Sequence, residues 1–481
     1  MENEKKPSAE AKSVFPEDRF AFRTDLAGNR IVVRPHQLLI NLAPRADGAD
    51  ASQALRIAAR NVVAEIVGAP ADTVTDSGIA DVVRAVRGDW HLIEIASDVE
   101  IVVGERPHRY AIDAMRFMRG LRDQGFRVQP NHVYFVDTRT KTMAGSVNPN
   151  FFAPNFFAPN FFAPNFFAPN FFAPNFFAAG GGGAGDGCCC PEGLSEGDER
   201  EIPPLAARAV AGPRPATAAA MATNPQLEIF VVDVATPHNT RGDVDTDLVD
   251  SDQDRWVDPA TGHGDFVAYI IEHECGVVPT LVGQAGSLGD IDDAELVTAL
   301  RSFSETSKGV RVDGTDKLVN LSLSGYNEDD RPGVVLADQI AQMITDGWTI
   351  VASAGNNASC RLAWPAALPD VVAVGAVDNC QPAWFSNHGP WVDASAPGSD
   401  VISKFPKLGD GFMVGEDNGQ MVMSDTFEEW ATWSGTSFSA PLVTARIASA
   451  MGPNVGRDAA IAAVLEDEDA HPLPYYGTIV S

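Results

Sequence analysis

Residues 318–354, LVNLSLSGYNEDDRPGVVLADQIAQMITDGWTIVASA, decide the fold. An apolar run at 318–323 is followed by a helical pattern over 334–345 and a second apolar run at 349–354. Runs this continuous in apolar residues suit strands whose two faces are both covered. The same alternation extends outward. Strands are expected at 227–234, 277–282 and 371–377, and helices at 265–273, 293–303 and 437–451. Alternating strands and helices predict an α/β fold, a parallel sheet sandwiched by helices. Such a fold places reactive groups at strand C-termini and helix N-termini.

Upstream, residues 30–137 carry a different pattern. A strand at 31–42 precedes a helix at 52–67 with apolar residues at i, i+3, i+4 spacing. Strands at 82–86 and 90–95, a helix at 110–124 and a strand at 127–136 complete the order β-α-β-β-α-β of a small split α+β domain. Between the two regions, Asn-Phe-Phe-Ala-Pro repeats run over 150–178, followed by Gly180–Gly183 and three adjacent cysteines, Cys188, Cys189 and Cys190. A proline every five residues forbids a continuous helix and spoils a central strand, so this reads as an extended linker. The expected organisation is a flexible terminus (1–29), the α+β domain (30–137), the linker (138–226), the α/β domain (227–455) and its C-terminal extension (456–481).

The chain has 481 residues, enough for two to four domains, and its 45% hydrophobic and 21% charged content is globular. Acids (65) outnumber bases (35), a net charge of −30 that disfavours nucleic-acid partners. Acids and bases balance over Met1–Ser146, so the acidic excess lies downstream and marks a second folding unit. No apolar run approaches the roughly 18 residues of a membrane span. The first 20 residues lack the apolar centre of a secretory signal. The chain as written is therefore expected in the cytoplasm, with leaderless export as the alternative.

Four polar residues fall where an α/β fold places chemistry. Asp233 ends the apolar run LEIFVVDV, where a carboxylate must be hydrogen-bonded to offset its desolvation. His263 sits between two glycines at a helix start, as a general base held by an acid would. Ser437 opens the last helix, where amides at the helix N-terminus favour negative charge on an attacked carbonyl. Asn356 follows a buried strand and Gly355, a position from which its amide can donate to an oxyanion. Alone, each reads equally well as a cap or a turn residue. Together, in the order Asp, His, Asn, Ser, they form a specific conjunction, and not the Ser, Asp, His order of α/β-hydrolases.

Residues 227–451 resemble the subtilisin-like serine proteases. GTSFSAP is similar to that family's nucleophile motif, GHGDFVAYII to its histidine motif, SAGNNAS to the oxyanion segment and VNLSLSGY to the strand that pairs with extended substrate. The resemblance implies a serine endopeptidase acting on polypeptide substrates. In it Ser437 is nucleophile, His263 base and then acid, Asp233 the orienting acid and Asn356 the oxyanion donor. Ser322, Leu323, Ser324 and Gly325 would pair with substrate, and Ala352, Ser353 and Ala354 would form a second wall. No cofactor is implied for the chemistry, although structural calcium is common in the family.

The α+β region ends FRVQPNHVYFV, similar to the closing strand of subtilase propeptides. This resemblance implies a self-inhibited zymogen whose N-terminal domain is an intramolecular inhibitor. Three departures stand out. Asp233 is followed by Val234-Ala235 where the family has Thr/Ser-Gly, an acidic tract replaces the usual following loop, and Asp265 stands where the family has Thr. These departures motivate the alternative of an inactive, subtilase-derived binding or assembly protein.

Other patterns read as structural. Gly193-Leu194-Ser195-Glu196-Gly197 matches G-x-S-x-G but lacks the preceding buried strand. The acidic tract 243–254 lacks the glycine and closing glutamate of an EF-hand. Cys360 and Cys380 are a candidate disulfide pair, although disulfides are rare in a reducing compartment.

Overall fold

The computed structural model describes residues 19–136 and 227–480, except 26–27, 45–49, 75–77, 104–105, 239–243, 252, 254, 259, 287, 306–315, 409–410, 418–419, 424–428, 453–454 and 467–470. The expectations for the flexible terminus, the repeat linker, the three adjacent cysteines and the G-x-S-x-G match lie outside these residues.

In the N-terminal domain, β1 (Ala21–Thr24) and β2 (Arg30–Asn41) precede α1 (Ala51–Val67). Then come β3 (Ala80–Arg87), β4 (Trp90–Ile95), β5 (Asp98–Val103), β6 (Arg106–Ala111), α2 (Ala114–Asp123) and β7 (Val128–Val136). Helix α1 is capped by Asp50 and closed by Gly68 in the left-handed region, where a side chain is disfavoured. The two helices press Leu55, Ala59, Val62, Phe117, Met118 and Leu121 onto β2, β4 and β7 to make this domain's own core. Gly120 lets the helices meet, because a Cβ there would lie 2.6 Å from Val62.

Here the structure corrects the sequence reading. The second helix begins at Ala114, with Asp113 accepting from Arg116 N, and Tyr110 belongs to a β5–β6 hairpin that was not anticipated. The alternation in 98–111 is short, and the apolar positions of the following helix continued it, so the two merged into one helical pattern.

The second domain contains β8 (Leu227–Val234), α3 (His263–Cys275), β9 (Thr280–Ala285), β10 (Asp290–Asp292) and α4 (Asp293–Ser304). These are followed by β11 (Asp316–Leu321), β12 (Leu323–Ser324), α5 (Val334–Thr345), β13 (Thr349–Ser353), β14 (Val372–Asp378), β15 (Gln381–Pro382) and β16 (Ala394–Pro397). Hairpin strands β17 (Val401–Lys404), β18 (Met413–Asp417), β19 (Gln420–Met423) and β20 (Trp430–Trp433) lead to α6 (Thr436–Ala450). Helix α7 (Arg457–Leu465), β21 (His471–Leu473) and β22 (Gly477–Ile479) close the chain.

The main sheet runs β21-β22-β16-β14-β13-β11-β8-β9. From β9 to β22 every neighbouring pair is parallel. Helices α4 and α5 cover one face, around Val297, Leu300, Leu336 and Ile340. Helices α3, α6 and α7 cover the other, around Phe266, Ile271, Val443 and Ile447. This is the α/β sandwich that the alternating pattern predicted.

One strand joins the two domains. Residues 128–132 of β7 lie in the N-terminal sheet, with Leu39 opposite Gln129 and Val33 opposite His132. Its last residues run antiparallel between two short strands of the second domain. Tyr134 is opposite Ile291 on β10, and Val136 and Phe135 are opposite Leu323 and Ser324 on β12. All nine residues of β7 are buried. Tyr134 and Val136 belong to the same apolar cluster as Leu323, Val297 and Leu336, so the domains share a core.

Charged groups border this junction. Arg34 on β2 reaches Asp290 (2.7 Å), Asp292 (2.9 Å) and Glu295 (3.1 Å), while Arg19 also binds Asp290. Burial alone would lower the Arg34 pKa, but the facing Asp292, Asp290 and Glu295 outweigh it and raise the value. Arg122 pairs with Glu328 at 2.7 Å, and Arg361 bonds Asp330 and the Arg30 carbonyl.

Cys360 is disulfide-bonded, but Cys275 and Cys380 are both free thiols, so the proposed Cys360–Cys380 pairing is not made.

Removing one partner of a buried ion cluster leaves the others uncompensated, at a cost of about 3–5 kcal/mol. Arg34→Ala is expected to destabilise the junction by about that much, read by denaturant unfolding and by proteolytic release of the N-terminal domain. A change within about 0.5 kcal/mol, the range of surface substitutions, would show that the cluster contributes nothing.

Candidate functional site

Asp233 lies at the end of β8, and His263 is the first residue of α3; both are 0% exposed. The Asp233 carboxylate accepts from Val234 N at 2.8 Å and from His263 Nδ1 at 2.8 and 2.9 Å. The proton therefore sits on Nδ1, which leaves Nε2 as the basic nitrogen. Nε2 is buried and has no hydrogen-bond partner among the described residues. The ring packs edge-on against Trp433 and beside Phe438, with centroids 5.3 Å away in each case.

Glycines make this placement feasible. Gly262 has φ +78°, and a Cβ there would strike Pro406 at 2.6 Å. A Cβ on Gly264 would lie 2.4 Å from the Val234 carbonyl oxygen. The departure at Ala235 has a local compensation, since Gly283 on the neighbouring strand makes room for the Ala235 methyl.

Ser437 is the second residue of α6, and its surroundings follow from Pro441. Proline has no N–H, so the carbonyl four residues earlier loses its helical donor. That carbonyl belongs to Ser437, and it accepts instead from Ser322 Oγ at 2.7 Å. Ser437 Oγ donates back to the Ser322 carbonyl at 3.2 Å. Ser322 is held by Asn320 Nδ2 at 2.9 Å, and Asn320 accepts from Thr444 on α6 at 3.0 Å. A buried polar chain thus ties the start of α6 to the end of β11.

Asn356 is fixed in a similar way. Its Oδ1 accepts from Thr436 N (2.9 Å) and Thr436 Oγ1 (3.0 Å), which fixes the direction of its amide. Gly355 N donates to Thr436 Oγ1 at 3.1 Å. Asn387 Nδ2 holds the Ala354 carbonyl at 2.8 Å, and its Oδ1 accepts from Asn357 N and Ser359 N. Sequence reasoning missed Thr436 and Asn387 because a buried hydroxyl and amide carry no pattern apart from their partners.

Of the candidate substrate-binding residues, Leu323 and Ser324 pair with β7. Gly325 bridges Trp364 and lies against Tyr134, where a Cβ would come within 2.7 Å of Tyr134 Cδ1. Ser322 faces Ser437 as described. Ala352 and Ser353 are buried on β13 beside β14, and Ala354 follows them.

Asp265 is half-buried in the first turn of α3. Burial raises its pKa, with Thr236 and His238 opposing and Asp233 adding to the rise. Among the described residues no group of three or more His, Cys, Asp or Glu side chains is gathered as for a metal ion, so the calcium expectation acquires no ligands. Among the same residues no helix is long and apolar enough to cross a membrane.

A parallel sheet between helices, with a histidine–carboxylate pair and a helix-opening serine at its C-terminal edge, defines a subtilisin-like fold. The chain belongs to the subtilase family, whose model matches residues 120–467. It is 30% identical over 239 residues to a thermophilic serine proteinase of Bacillus sp. (strain AK1), covering 45% of this chain and 50% of that protein. It is also 30% identical over 155 residues to subtilisin Savinase of Lederbergia lenta, covering 30% of this chain and 54% of that protein. The chain thus spans about half the length of these curated relatives. A solved cold-adapted subtilisin-like serine proteinase aligns with a TM-score of 0.39 at 19% identity, over 53% of this chain and 87% of that one.

The Tyr134 hydroxyl is wholly buried. Burial first, and the Asp293 carboxylate second, hold its pKa well above the usual tyrosine range. The neutral phenol's contribution to docking is therefore fully present below the free-tyrosine pKa of about 10. It is lost as pH rises through the elevated value of the docked state. Hydrogen exchange of β7 followed from pH 8 to 12 is expected to show an alkaline loss of protection that Tyr134→Phe abolishes.

Proposed function

We propose that the chain is a serine endopeptidase made as a self-inhibited zymogen, with its N-terminal domain as the intramolecular inhibitor. The observation that carries this reading is the threading of β7 between β10 and β12. Its register runs toward lower numbers on β12, so a substrate bound in the same register would carry its next residue toward Ser322, whose carbonyl accepts from Ser437 Oγ. An extended peptide held in this way brings a backbone carbonyl to Ser437.

The proposed chemistry follows from the fixed groups. Rotation about the Ser437 Cα–Cβ bond turns Oγ from the Ser322 carbonyl toward the unpartnered Nε2 of His263. His263 then takes the hydroxyl proton as Oγ attacks the peptide carbonyl, while Asp233 stabilises the resulting imidazolium. The Asn356 amide and the Ser437 N–H donate to the oxyanion. His263 returns its proton to the leaving amine, and water activated by the same nitrogen hydrolyses the acyl-enzyme. No cofactor enters these steps. Polypeptides are the substrate class, and Ser322, Leu323, Ser324 and Gly325 provide the pairing edge.

One observation favours a second reading. With Ser437 Oγ turned to Ser322 and Nε2 unpartnered among the described residues, the relay is open, which suits the alternative of a non-cutting binding or assembly protein. A fluorophosphonate probe distinguishes the two. The protease reading expects labelling of Ser437 in the wild type and none in Ser437→Ala, with peptide hydrolysis lost in that variant. Wild type that stays unlabelled after removal of the N-terminal domain leaves the binding reading standing. Asn356→Ala is expected to lower kcat by about 10²–10³-fold, the scale known for an oxyanion donor in subtilisin itself. Steady-state hydrolysis of a chromogenic peptide reads that loss.

A further inference from the structure

We propose that Asp293 and Asn327 form a subsite that selects a tyrosine side chain in the extended substrate, three positions before the residue opposite Ser322. The inference rests on the protease reading and adds a substrate class to it.

The site is occupied in this structure by Tyr134. Its hydroxyl donates to Asp293 Oδ1 at 2.7 Å and accepts from Asn327 Nδ2 at 3.2 Å. The amide fixes the direction of the phenol proton, which points at the carboxylate. Tyr134 and Asp293 are both 0% exposed, and so is Asn327. The ring lies against Gly325, the one residue type that leaves room there. The buried phenol thus meets one matched acceptor and one matched donor, with its ring against Gly325.

The placement of Asp293 makes the site selective. It is the first residue of α4, and Asp292 and Glu295 already complete that helix's capping box. Asp293 is thus not needed as a cap. Among the described residues its donors are Gln129 Nε2, His132 N, His132 Nδ1 and Tyr134 OH, all on β7. His132 Nε2 accepts from Glu328 N at 3.2 Å, so its Nδ1 carries the proton and donates. The second domain buries a carboxylate whose donors come from the strand lying in the groove. A peptide with phenylalanine at this position fills the same volume but leaves the acceptor unmatched. A buried acceptor without its donor is costly, and more so when it is charged.

Two measurements test the proposal. In the full chain carrying Ser437→Ala, so that it stays intact, hydrogen exchange of residues 290–292 and 323–324 reports how firmly β7 is held. Tyr134→Phe is expected to speed that exchange by about 10–100-fold, the scale of one hydrogen bond to a charged group. In an Asp293→Leu background the same change is expected to have little effect. Equal exchange in Tyr134→Phe and its parent, or an equal effect in both backgrounds, overturns the subsite. The second measurement compares peptides that differ only by Tyr or Phe at this position, cleaved by wild type freed of its N-terminal domain. The Tyr peptide is expected to have the higher kcat/KM by about tenfold or more, and equal values overturn the selectivity. If neither peptide is cut and Ser437 takes no probe, the protease reading fails, while the exchange result still decides whether the subsite reads a phenol.

Discussion

A strand inserted between two edges must satisfy both, and β7 does so for β10 and β12. Without it, two short strands of the second domain would present unpaired N–H and C=O groups, each costly to leave unmatched where water is excluded. With it, the N-terminal sheet and the edge of the groove become one hydrogen-bonded surface. Alternation along the strand then determines which side chains go where. Tyr134 and Val136 enter the core of the second domain, while Phe135 packs on Phe20 of its own domain at 5.7 Å.

The groove is rigid because its walls are tied to the serine helix. Pro441 removes a helical donor, and Ser322 supplies the replacement from the strand that leads into the pairing edge. The positions of Ser437 and of Leu323 are therefore coupled through two residues rather than through loop packing. On the opposite side Thr436 orients Asn356, and the neighbouring Phe438 packs on His263. Three consecutive residues of α6 thus contact the Ser322 hydroxyl, the Asn356 amide and the His263 imidazole. A shift of this helix moves all three contacts together.

Much of this was legible in the sequence because it rests on local signals. The buried strands announced themselves as apolar runs, since both sheet faces are covered, and Asp233, His263 and Ser437 lie at the strand and helix ends expected of them, with Asn356 just after β13. What escaped depends on partners distant in the chain. The β5–β6 hairpin has alternation too short to separate from the helix after it. The Cys360–Cys380 pairing was inferred from spacing, but spacing along a loop does not fix the separation of two sulfurs. Thr436 and Asn387 gain meaning only when Asn356 and the Ala354 carbonyl are brought beside them.

Asp293 shows the limit most clearly. In the sequence it is one of three acids in Asp290-Ile291-Asp292-Asp293, and acids at a helix start read as caps. The capping box uses Asp292 with Glu295, which leaves Asp293 without a structural task on its own helix. Its four donors come from more than 150 residues upstream, at separations of 164, 161, 161 and 159. A carboxylate whose hydrogen bonds all cross a domain boundary belongs to the interface, not to the fold of either side. That placement explains why a strongly acidic domain accepts a strand rich in donors: Gln129, His132 and Tyr134 give the buried carboxylate what solvent would otherwise supply.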